Sequence, residues 1–422
     1  MTKKSDAPAI RFKGFSDAWE QRKLASLCEK FTDGDWIESK DQSDFGVRLV
    51  QTGNVGVAEY LDKPNNKKWI SEDTFDRLHC EEVLPGDILI SRLPEPAGRA
   101  CIMPLLGTKM ITAVDCTIVR TAPDMSNKFL VQYLSSQAYF DDVNTCLAGG
   151  TRQRISRGNL ANFNVPIPVK KTEQDAIGMF FGYLDNLITL HQRKFEKLTN
   201  VKKSMLEKMF PQNGSSYPEI RFKGFTDPWE QRKLSEMCGT FEYGLNAAAK
   251  EFDGKNKYIR ITDIDDASRE FLLSDLSSPD ICLDGMSKYL LSSGDIVFAR
   301  TGASVGKTYI YRENDGIVYF AGFLIRAKVN QDNDAEFVFQ STLSPSYEKY
   351  IRITSQRSGQ PGVNAQEYGE YDLFAPSKEE QQRIGHFLRG IDNLITLHQR
   401  KPFLMKWRTS DANRNQTNRL VL

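Results

Sequence analysis

The sequence predicts a mixed α/β (α+β) fold with two repeated globular domains, separated by long helices that pair as an antiparallel coiled coil. Three observations predict it. The chain repeats itself, the middle of each copy holds short β-branched and aromatic runs, and the end of each copy carries an apolar heptad pattern. The chain has 422 residues, of which 40% are hydrophobic and 26% charged. This length and composition are typical of a globular protein with more than one domain.

The internal repeat joins nearly identical ends to different middles. The first copy opens with Ile10–Phe15 and the second with Ile220–Phe225, an offset of 210 residues. Two further stretches recur, Trp19–Leu24 as Trp229–Leu234 and Asp185–Lys194 as Asp392–Lys401. A duplicated domain can serve only to build a larger scaffold. Constant ends around divergent middles instead favour one assembly role combined with two recognition tasks.

The middles predict short strands and helices bounded by Gly, Pro, Asn and Asp. The predicted strands are Asp87–Ser91, Thr117–Arg120, Ile296–Ala299 and Phe323–Arg326, and the predicted helices are Lys128–Phe140 and Ala335–Ser344. Each copy also has a Gly-Asp-Ile motif that is followed by an arginine, Arg92 in the first copy and Arg300 in the second. These arginines end a predicted strand at equivalent positions.

An apolar heptad predicts one long helix over Glu173–Phe210, which would span roughly 57 Å at 1.5 Å per residue. We expect it to pair antiparallel with the helix of the second copy, with His191 and His398 packed in the seam. The predicted seam residues are Ile177, Phe181, Leu184, Ile188, Phe195 and Leu198 in the first copy and Ile384, Leu388, Ile391 and Ile395 in the second.

The second helix differs from the first at its end. Pro402 occupies the position that matches Phe195, and a proline inside a helix costs about 3 kcal/mol or more. We therefore expect a shortened second arm, which would weaken assembly or leave it dependent on a partner. The resulting division is a first domain over 1–172, a central helix over 173–212, a second domain over 213–378, a C-terminal helix over 379–408 and an irregular tail over 409–422.

One segment in each copy combines positive charge with glycine and amide side chains. No acidic residue occurs from Gly149 to Lys171, or from Lys349 to Gln366. Arg and Lys neutralise phosphates, and Arg, Gln and Asn match the edges of guanine and adenine. A solvated surface loop would have a similar composition, but two equivalent cationic loops favour DNA contact.

The candidate DNA-binding residues lie on these loops and at the ends of the predicted strands. They are Arg92, Gly150, Thr151, Arg152, Gln153, Arg154 and Arg157 in the first copy, and Arg300, Thr301, Lys307, Arg352, Gln356, Arg357, Ser358, Gly359, Gln360 and Asn364 in the second. For Arg92 and Arg300, a buried ion pair with Asp87 or Asp295 is an equal alternative.

Other chemistry has little support in the sequence. Gly302–Thr308 resembles a phosphate-binding loop, but only three residues separate Gly302 from Gly306 and a predicted strand follows. Metal-ligand spacing and catalytic motifs are absent, and we expect the seven cysteines to be buried thiols. The net charge of +1 means that DNA binding has to rest on local charge. Without an apolar run or a secretory signal, we expect a cytoplasmic protein.

Together these features resemble the specificity subunit of Type I restriction-modification systems. The resemblance covers about the first 400 residues. Its carriers are the openings at Ile10–Leu24 and Ile220–Leu234, the segment Gly294–Lys307, the loop Ser358–Asn364 and both Leu-Ile-Thr-Leu-His-Gln-Arg-Lys helices.

The resemblance implies two target recognition domains that each read one half of a split, asymmetric DNA site, with a gap set by the coiled coil. It implies two methyltransferase subunits that methylate adenine N6 with S-adenosylmethionine, and two restriction subunits that translocate and cleave DNA with ATP and Mg. We expect this chain itself to bind no cofactor or metal and to perform no catalysis.

Two alternatives stay open from the sequence. A DNA-binding adaptor that supports methylation alone would carry the same features. A coiled-coil interaction scaffold that does not touch DNA is the other, and a salt-dependent DNA affinity would distinguish it.

Overall fold

The computed structural model of the chain describes residues 8, 10–149, 153–212, 214–356 and 359–411. The chain forms two compact units. The first unit comprises Met1–Thr189 with Leu404–Leu422, and the second comprises Leu190–Phe403. The long helix that begins in the first unit ends in the second.

The first unit is a mixture of short strands and helices. Its elements are β1 (Glu20–Lys23), β2 (Cys28–Asp33), β3 (Gln42–Ser43), β4 (Val47–Val50), β5 (Lys68–Ile70), α1 (Glu72–Arg77), β6 (Ile88–Ser91), β7 (Ala100–Ile102), β8 (Met110–Thr112), β9 (Cys116–Thr121), α2 (Asn127–Tyr133), α3 (Gln137–Thr145), α4 (Arg157–Asn162), β10 (Asn164–Ile167) and the start of α5 (Lys171–Lys208).

The second unit follows the same order around a different middle. Its elements are β11 (Glu230–Lys233), α6 (Leu234–Met237), β12 (Cys238–Tyr243), β13 (Ala249–Glu251), β14 (Lys257–Ile259), β15 (Ser277–Pro279), β16 (Asp295–Ala299), β17 (Thr308–Ile310), β18 (Val318–Phe320), β19 (Leu324–Val329), α7 (Ala335–Ser341), α8 (Pro345–Thr354), α9 (Ala365–Gly369), β20 (Asp372–Ala375) and α10 (Lys378–Asp411).

An antiparallel four-stranded sheet of the same topology lies in each unit. Its order is β2-β9-β6-β7 in the first unit and β12-β19-β16-β17 in the second. All four residues of β6 and all five of β16 are buried, because each strand lies between two others and is covered on both faces. This sheet contains all four predicted strands, and it places the two equivalent arginines at the end of its central strand.

The middles differ in their second sheet. The first unit forms a four-stranded sheet of order β3-β5-β4-β8, whereas the second has two separate pairs, β13-β15 and β14-β18. The parallel pair β4-β8 corresponds to the parallel pair β14-β18. The two middles, which differ in sequence, therefore also differ in structure.

One predicted helix is two helices. The prediction ran through Lys128–Phe140, but α2 ends at Tyr133 and α3 begins at Gln137. The break occurs because the Ser136 hydroxyl accepts a hydrogen bond from the backbone N–H of Tyr139 at 3.3 Å, which caps a new helix. The second unit repeats this break, where Ser344 caps α8.

The repeated opening motif has a structural explanation. In the first unit the Arg11 guanidinium donates two hydrogen bonds of 2.7 Å to the carboxylate of Glu173, in the first turn of α5. In the second unit Arg221 makes the same paired contact with Glu380 on α10, at 2.7 and 2.8 Å. Both glutamates are buried. The motif therefore ties each domain opening to the start of a long helix.

Within the second unit, the end of α5 pairs antiparallel with α10. The Nδ1 atoms of His191 and His398 lie 2.8 Å apart, and Lys202 forms an ion pair with Asp392. Because the later residue of α5 meets the earlier residue of α10, the two helices run in opposite directions. Six predicted seam residues belong to the hydrophobic core of the second unit or pack against it: Phe195, Leu198, Ile384, Leu388, Ile391 and Ile395.

The remaining seam residues lie in the first unit. Ile177 packs against the core of that unit. Phe181 is 36% exposed, and Leu184 and Ile188 are half-buried. The side chains from Arg400 onward lie outside the described residues.

The predicted C-terminal helix over 379–408 corresponds to α10, and its shortening relative to the first arm stays a prediction, because the residues after Asp411 lie outside the described ones. Helix α10 continues through Pro402 to Asp411 and has 34 residues, against 38 in α5. A proline removes one N–H donor and crowds one preceding turn. That cost is local, so the helix can continue on both sides of it.

Candidate nucleic-acid interface

Both units bring a loop back to the arginine at the end of the central strand. In the first unit, the N–H of Ile155 donates a hydrogen bond to the carbonyl of Arg92 at 3.1 Å. In the second, the N–H of Val363 donates to the carbonyl of Arg300 at 2.9 Å. Each loop follows α3 or α8 and carries most of the predicted DNA-binding residues.

The other side of each arginine is bounded by the turn before β9 or β19. The N–H of Arg92 donates to the carbonyl of Asp115 at 2.8 Å, and the N–H of Arg300 donates to that of Phe323 at 3.0 Å. Because the same backbone hydrogen bonds surround Arg92 and Arg300, each residue near Arg92 has an equivalent residue near Arg300. We name the first arginine site as Asp33, Arg92, Asp115, Arg154 and Arg157, and the second arginine site as the equivalent Tyr243, Arg300, Phe323, Gly362 and Ala365.

In the first arginine site, the Arg92 side chain contacts other groups of the protein. Its Nε lies 3.5 Å from Oδ1 of Asp33, and its Nη2 donates to the carbonyl of Val114 at 2.7 Å. The hydroxyl of Thr117 donates to the same Asp33 oxygen at 3.0 Å. Only 11% of the Arg92 side chain is exposed. Most of its donors therefore face protein rather than solvent.

Two other arginines of this site are more open. Arg157 has an Nη1 atom 3.8 Å from Asp33 and is 47% exposed, and Arg154 has one 3.9 Å from Asp115 and is 63% exposed. The loop that presents Arg154 is closed by an antiparallel bridge between Arg154 and Ala148. The predicted absence of acidic residues holds along this segment, but folding brings two aspartates to it from elsewhere.

In the second arginine site, the arginine lies over an aromatic ring. The guanidinium carbon of Arg300 lies 5.1 Å from the ring centroid of Tyr243, a cation–π arrangement. The Tyr243 hydroxyl accepts a hydrogen bond from the N–H of Ala365 at 3.3 Å. Phe323 is 58% exposed. Within the described ranges, the Arg300 guanidinium has neither a hydrogen bond nor an ion pair.

The alternative pairing of the two arginines with the aspartates of the Gly-Asp-Ile motifs is wrong. Asp87 accepts hydrogen bonds of 2.9 and 2.7 Å from Arg120, and Asp295 lies 3.6 Å from Arg326. Each aspartate lies at the start of the central strand and its expected partner beyond the end. Five residues of strand separate the two by roughly 16 Å, so the neighbouring strand supplies the partner instead.

Lys307 lies between β16 and β17, and its equivalent in the first unit, Arg99, lies between β6 and β7. The predicted contact residue Lys307 forms an ion pair with the exposed Asp266. Arg99 was not predicted. It is buried and donates hydrogen bonds of 2.6 to 2.9 Å to four backbone carbonyls, and its burial lowers the pKa of the guanidinium. Arg99 holds the loop in place through backbone carbonyls, whereas Lys307, with 16% of its side chain exposed, pairs with one exposed carboxylate.

The other candidates of the second loop are distributed over its backbone and helix ends. Thr301 forms a backbone bridge with Gly362. The Gln360 amide lies next to Gly302, where an added Cβ would be 3.2 Å from it. Exposed positions are Gln153 in the first unit and Arg352, Gln356, Gly359 and Gln360 in the second. Gly150, Thr151, Arg152, Arg357 and Ser358 lie outside the described residues.

The Asn364 side chain caps a helix. Its side-chain oxygen accepts a hydrogen bond from the N–H of Glu367 at 2.9 Å and caps α9. The equivalent Ser156 caps α4 through Asn159 at 3.1 Å. The side-chain acceptor of Asn364 is therefore already engaged.

The segment that resembles a phosphate-binding loop has a different structure. Gly302–Ser304 forms a single 3₁₀ turn, and strand β17 follows it instead of the helix that a phosphate-binding loop requires. The described residues contain no group of three or more His, Cys, Asp or Glu side chains placed to hold a metal. The expectation that all seven cysteines are buried is wrong, because Cys28 and Cys146 are half-buried and Cys282 is exposed. Burial raises the pKa of Cys101 to about 12 and of Cys116 to about 11, which disfavours the reactive thiolate at those two positions.

The sequence matches the family described as Type I restriction modification DNA specificity domain twice, over residues 16–200 and 226–403. The chain belongs to this family. It is 25% identical over 251 residues to the Type I restriction enzyme MjaVIII specificity subunit of Methanocaldococcus jannaschii. That alignment covers 57% of this chain and 58% of the relative, so the chain matches little more than half of that protein's length.

A solved structure shares the fold of this specificity-family chain. The Type-I restriction-modification system S subunit from M. genitalium superimposes with a TM-score of 0.64, at 15% identity, over 96% of this chain and 97% of that one. Among the described helices, none combines the length and apolar character that crossing a membrane requires.

Several residues of the two arginine sites were missed from the sequence. They are Asp33, Asp115, Tyr243, Phe323, Gly362 and Ala365. An alignment of the two copies of the repeat could have found them. Offsets of 210 residues before the middles and 208 residues after them place each beside its equivalent. A search for positive charge alone could not find them, because none is basic.

Proposed function

We propose that this chain is the DNA-sequence specificity subunit of a Type I restriction-modification complex, and that each unit recognises one half of a bipartite, asymmetric DNA site. The observation that carries the proposal is the pair of arginine sites. They share one backbone frame but differ in the side chains around the arginine. A shared frame suits the same DNA geometry in both halves, and different side chains suit different bases.

The long helices provide the spacing between half-sites. An α-helix of 38 residues is stiff and rises 1.5 Å per residue, so its length converts residues into a separation along the duplex. Dimeric DNA-binding proteins fix half-site spacing in the same geometric way. Inserting four residues into α5 should therefore change the gap in the recognised site while both half-sequences stay the same.

The chemistry belongs to partner subunits. Two methyltransferase subunits use S-adenosylmethionine to methylate adenine N6, and two restriction subunits use ATP and Mg to translocate and cleave DNA. This chain contributes the target and takes no part in bond making or breaking. Its membership of the specificity family supports this division.

The test is to co-express the chain with the modification subunit and to sequence the host genome with methylation detection. We expect one split motif with methyl-adenine on both strands. The purified complex should bind a duplex carrying that motif, with an affinity that falls steeply as salt increases. When the restriction subunit is added to the purified complex, methylation of the motif without cleavage of unmethylated motif DNA would identify a methylation-only adaptor. Unchanged methylation together with absent DNA binding would identify a scaffold and overturn the proposal.

A further inference from the structure

The two arginine sites differ by a coordinated exchange of side chains. Around the constant arginine, two aspartates of the first site are replaced by aromatic residues, Asp33 by Tyr243 and Asp115 by Phe323. The two remaining arginines are replaced by small residues, Arg157 by Ala365 and Arg154 by Gly362. Thr117, which donates a hydrogen bond to Asp33, is replaced by the buried Ile325, the strand partner of Tyr243. The positions have changed as a set.

This exchange alters whether the hydrogen-bond donors of the constant arginine are available to a ligand. Arg92 faces Asp33 and the carbonyl of Val114, and its Nε is sealed from solvent. The guanidinium carbon of Arg300 lies over the ring of Tyr243, 5.1 Å from its centroid. No nitrogen of Arg300 is both buried and unpartnered among the described side chains. A cation–π contact uses none of the N–H donors of a guanidinium, so Tyr243 holds Arg300 without engaging its donors.

We propose that Tyr243 is a positioning residue that presents the Arg300 edge to paired acceptors on DNA. In the first site, Asp33 occupies that position and retains Arg92, so the exposed Arg154 and Arg157 make the equivalent contacts. This inference rests on the proposed function and assigns the contact residues of each half-site.

Total charge does not explain the difference between the sites. The first site has three arginines and two aspartates, and the second has one arginine and no acidic residue, so each has one net positive charge. The long-range attraction of the two sites for phosphate is therefore matched. What differs is which guanidinium points outward and what holds it.

The ligand of Arg300 is a pair of hydrogen-bond acceptors in one plane. The O6 and N7 atoms of guanine provide such a pair, and so do two phosphate oxygens. The two sources give different results. A lost base contact relaxes specificity at one position of one half-site, whereas a lost phosphate contact weakens binding to all sequences and reduces its salt dependence.

The experiment uses the complex with the modification subunit and a 40-base-pair duplex that carries the motif found by methylation sequencing. The variants are Arg300→Ala, Tyr243→Asp and Tyr243→Phe, with Arg154→Ala/Arg157→Ala as the matched change in the first unit. Binding is measured at two salt concentrations to the intact motif and to duplexes altered in one half-site. Hydrogen exchange on each unit checks that the variants are folded.

We expect Arg300→Ala to lower affinity roughly 5- to 150-fold, the range of one bidentate contact. Tyr243→Asp should produce a similar loss, because the new carboxylate retains the arginine as Asp33 does. Tyr243→Phe keeps the ring and should stay within about twofold of the wild type. The first-unit variant should relax only the other half-site.

The inference is overturned if Arg300→Ala or Tyr243→Asp binds like the wild type, or if Tyr243→Phe loses as much as Tyr243→Asp. The last result would show that the hydroxyl matters for structure and the contact with the ring does not matter for DNA. A wild-type complex without sequence-specific binding would instead refute the proposed function. The two failures are thus distinguishable.

Discussion

The first and second arginine sites start from the same strands and the same backbone hydrogen bonds, yet they end with different side-chain chemistry. Asp33 and Asp115 hold arginines in the first site, and Tyr243 supports a single arginine in the second. The difference shows that a fixed backbone frame can carry unrelated contact sets. Recognition can then diverge between the halves without a change in the fold that supports it.

The ends of the repeat behave in the opposite way. The ion pairs Arg11–Glu173 and Arg221–Glu380 have almost the same geometry in both units. This contrast makes a general prediction. Matched changes at the constant ends should have similar effects in both units, and matched changes near the arginine sites should not.

The largest effect is expected at the constant ends. Arg221→Ala leaves Glu380, with 1% of its side chain exposed, as a buried carboxylate without its partner. We expect a loss of about 3–5 kcal/mol in the free energy of opening of the second unit. Arg11→Ala should cost the first unit slightly less, because the indole N–H of Trp19 still lies 3.4 Å from Glu173. Hydrogen exchange on peptides from each unit measures both.

The control for this pair removes both charges. Arg221→Met with Glu380→Met replaces the ion pair by apolar side chains and should recover most of the lost protection. If the double variant is as unstable as Arg221→Ala, the unpaired carboxylate is not the cause. Strongly unequal losses in Arg11→Ala and Arg221→Ala would contradict the similarity of the constant ends.

A smaller and unequal effect is expected on the turn beside each arginine site. Arg99→Ala removes the donor for four backbone carbonyls and should cost the first unit about 3 kcal/mol. The equivalent Lys307→Ala removes an ion pair with Asp266, which is 83% exposed, and should cost the second unit less than about 1 kcal/mol. The same exchange measurement compares the two.

Arg99→Lys separates charge from geometry at this position. A lysine keeps the charge but has a single nitrogen, so it cannot reach all four carbonyls and should restore only part of the protection. Full rescue by lysine would mean that the charge, rather than the hydrogen-bond pattern, holds the loop. Equal losses in Arg99→Ala and Lys307→Ala would remove the distinction between the two turns.

The elements that could be predicted are those with a local signal. Heptad spacing located α5 within two residues at each end, and apolar runs located the strands of the common sheet. The break between α2 and α3 was missed because it depends on one serine hydroxyl. The predicted C-terminal helix over 379–408 contains Pro402, and α10 runs through that residue because the cost of a proline is confined to about one turn.

The candidate site was only partly predictable because its chemistry depends on distant residues. Charge composition located the loop that carries Arg154 and Arg157. The carboxylate of Asp33 comes from more than a hundred positions earlier in the chain and lies near Arg157 only through the pairing of β2 with β9, while Arg154 lies near Asp115. Composition within one segment contains no information on such a partner. Residue-by-residue comparison of the two copies does contain it.

The smallest effect sharpens the comparison of the arginine sites most directly. Asp115→Asn removes the carboxylate beside Arg154 and leaves that exposed guanidinium available to a phosphate. We expect affinity for any duplex to rise about two- to fivefold at low salt, since an exposed pair contributes less than about 1 kcal/mol. The slope of affinity against salt should steepen by roughly one released ion. Binding to the motif and to an unrelated duplex should increase together.

Asp124→Asn is the matched control, because it removes the same charge from an exposed aspartate that pairs with Arg22 elsewhere in the first unit. It should leave both affinities nearly unchanged. An equal rise in the two variants would mean that net charge, and not the release of Arg154, sets the affinity. The second site has Phe323 at the position of Asp115, so it has no carboxylate to remove there. Phe323→Ala should accordingly leave the salt dependence as it is, and a changed slope would show that the two sites are not equivalent in the way their backbones indicate.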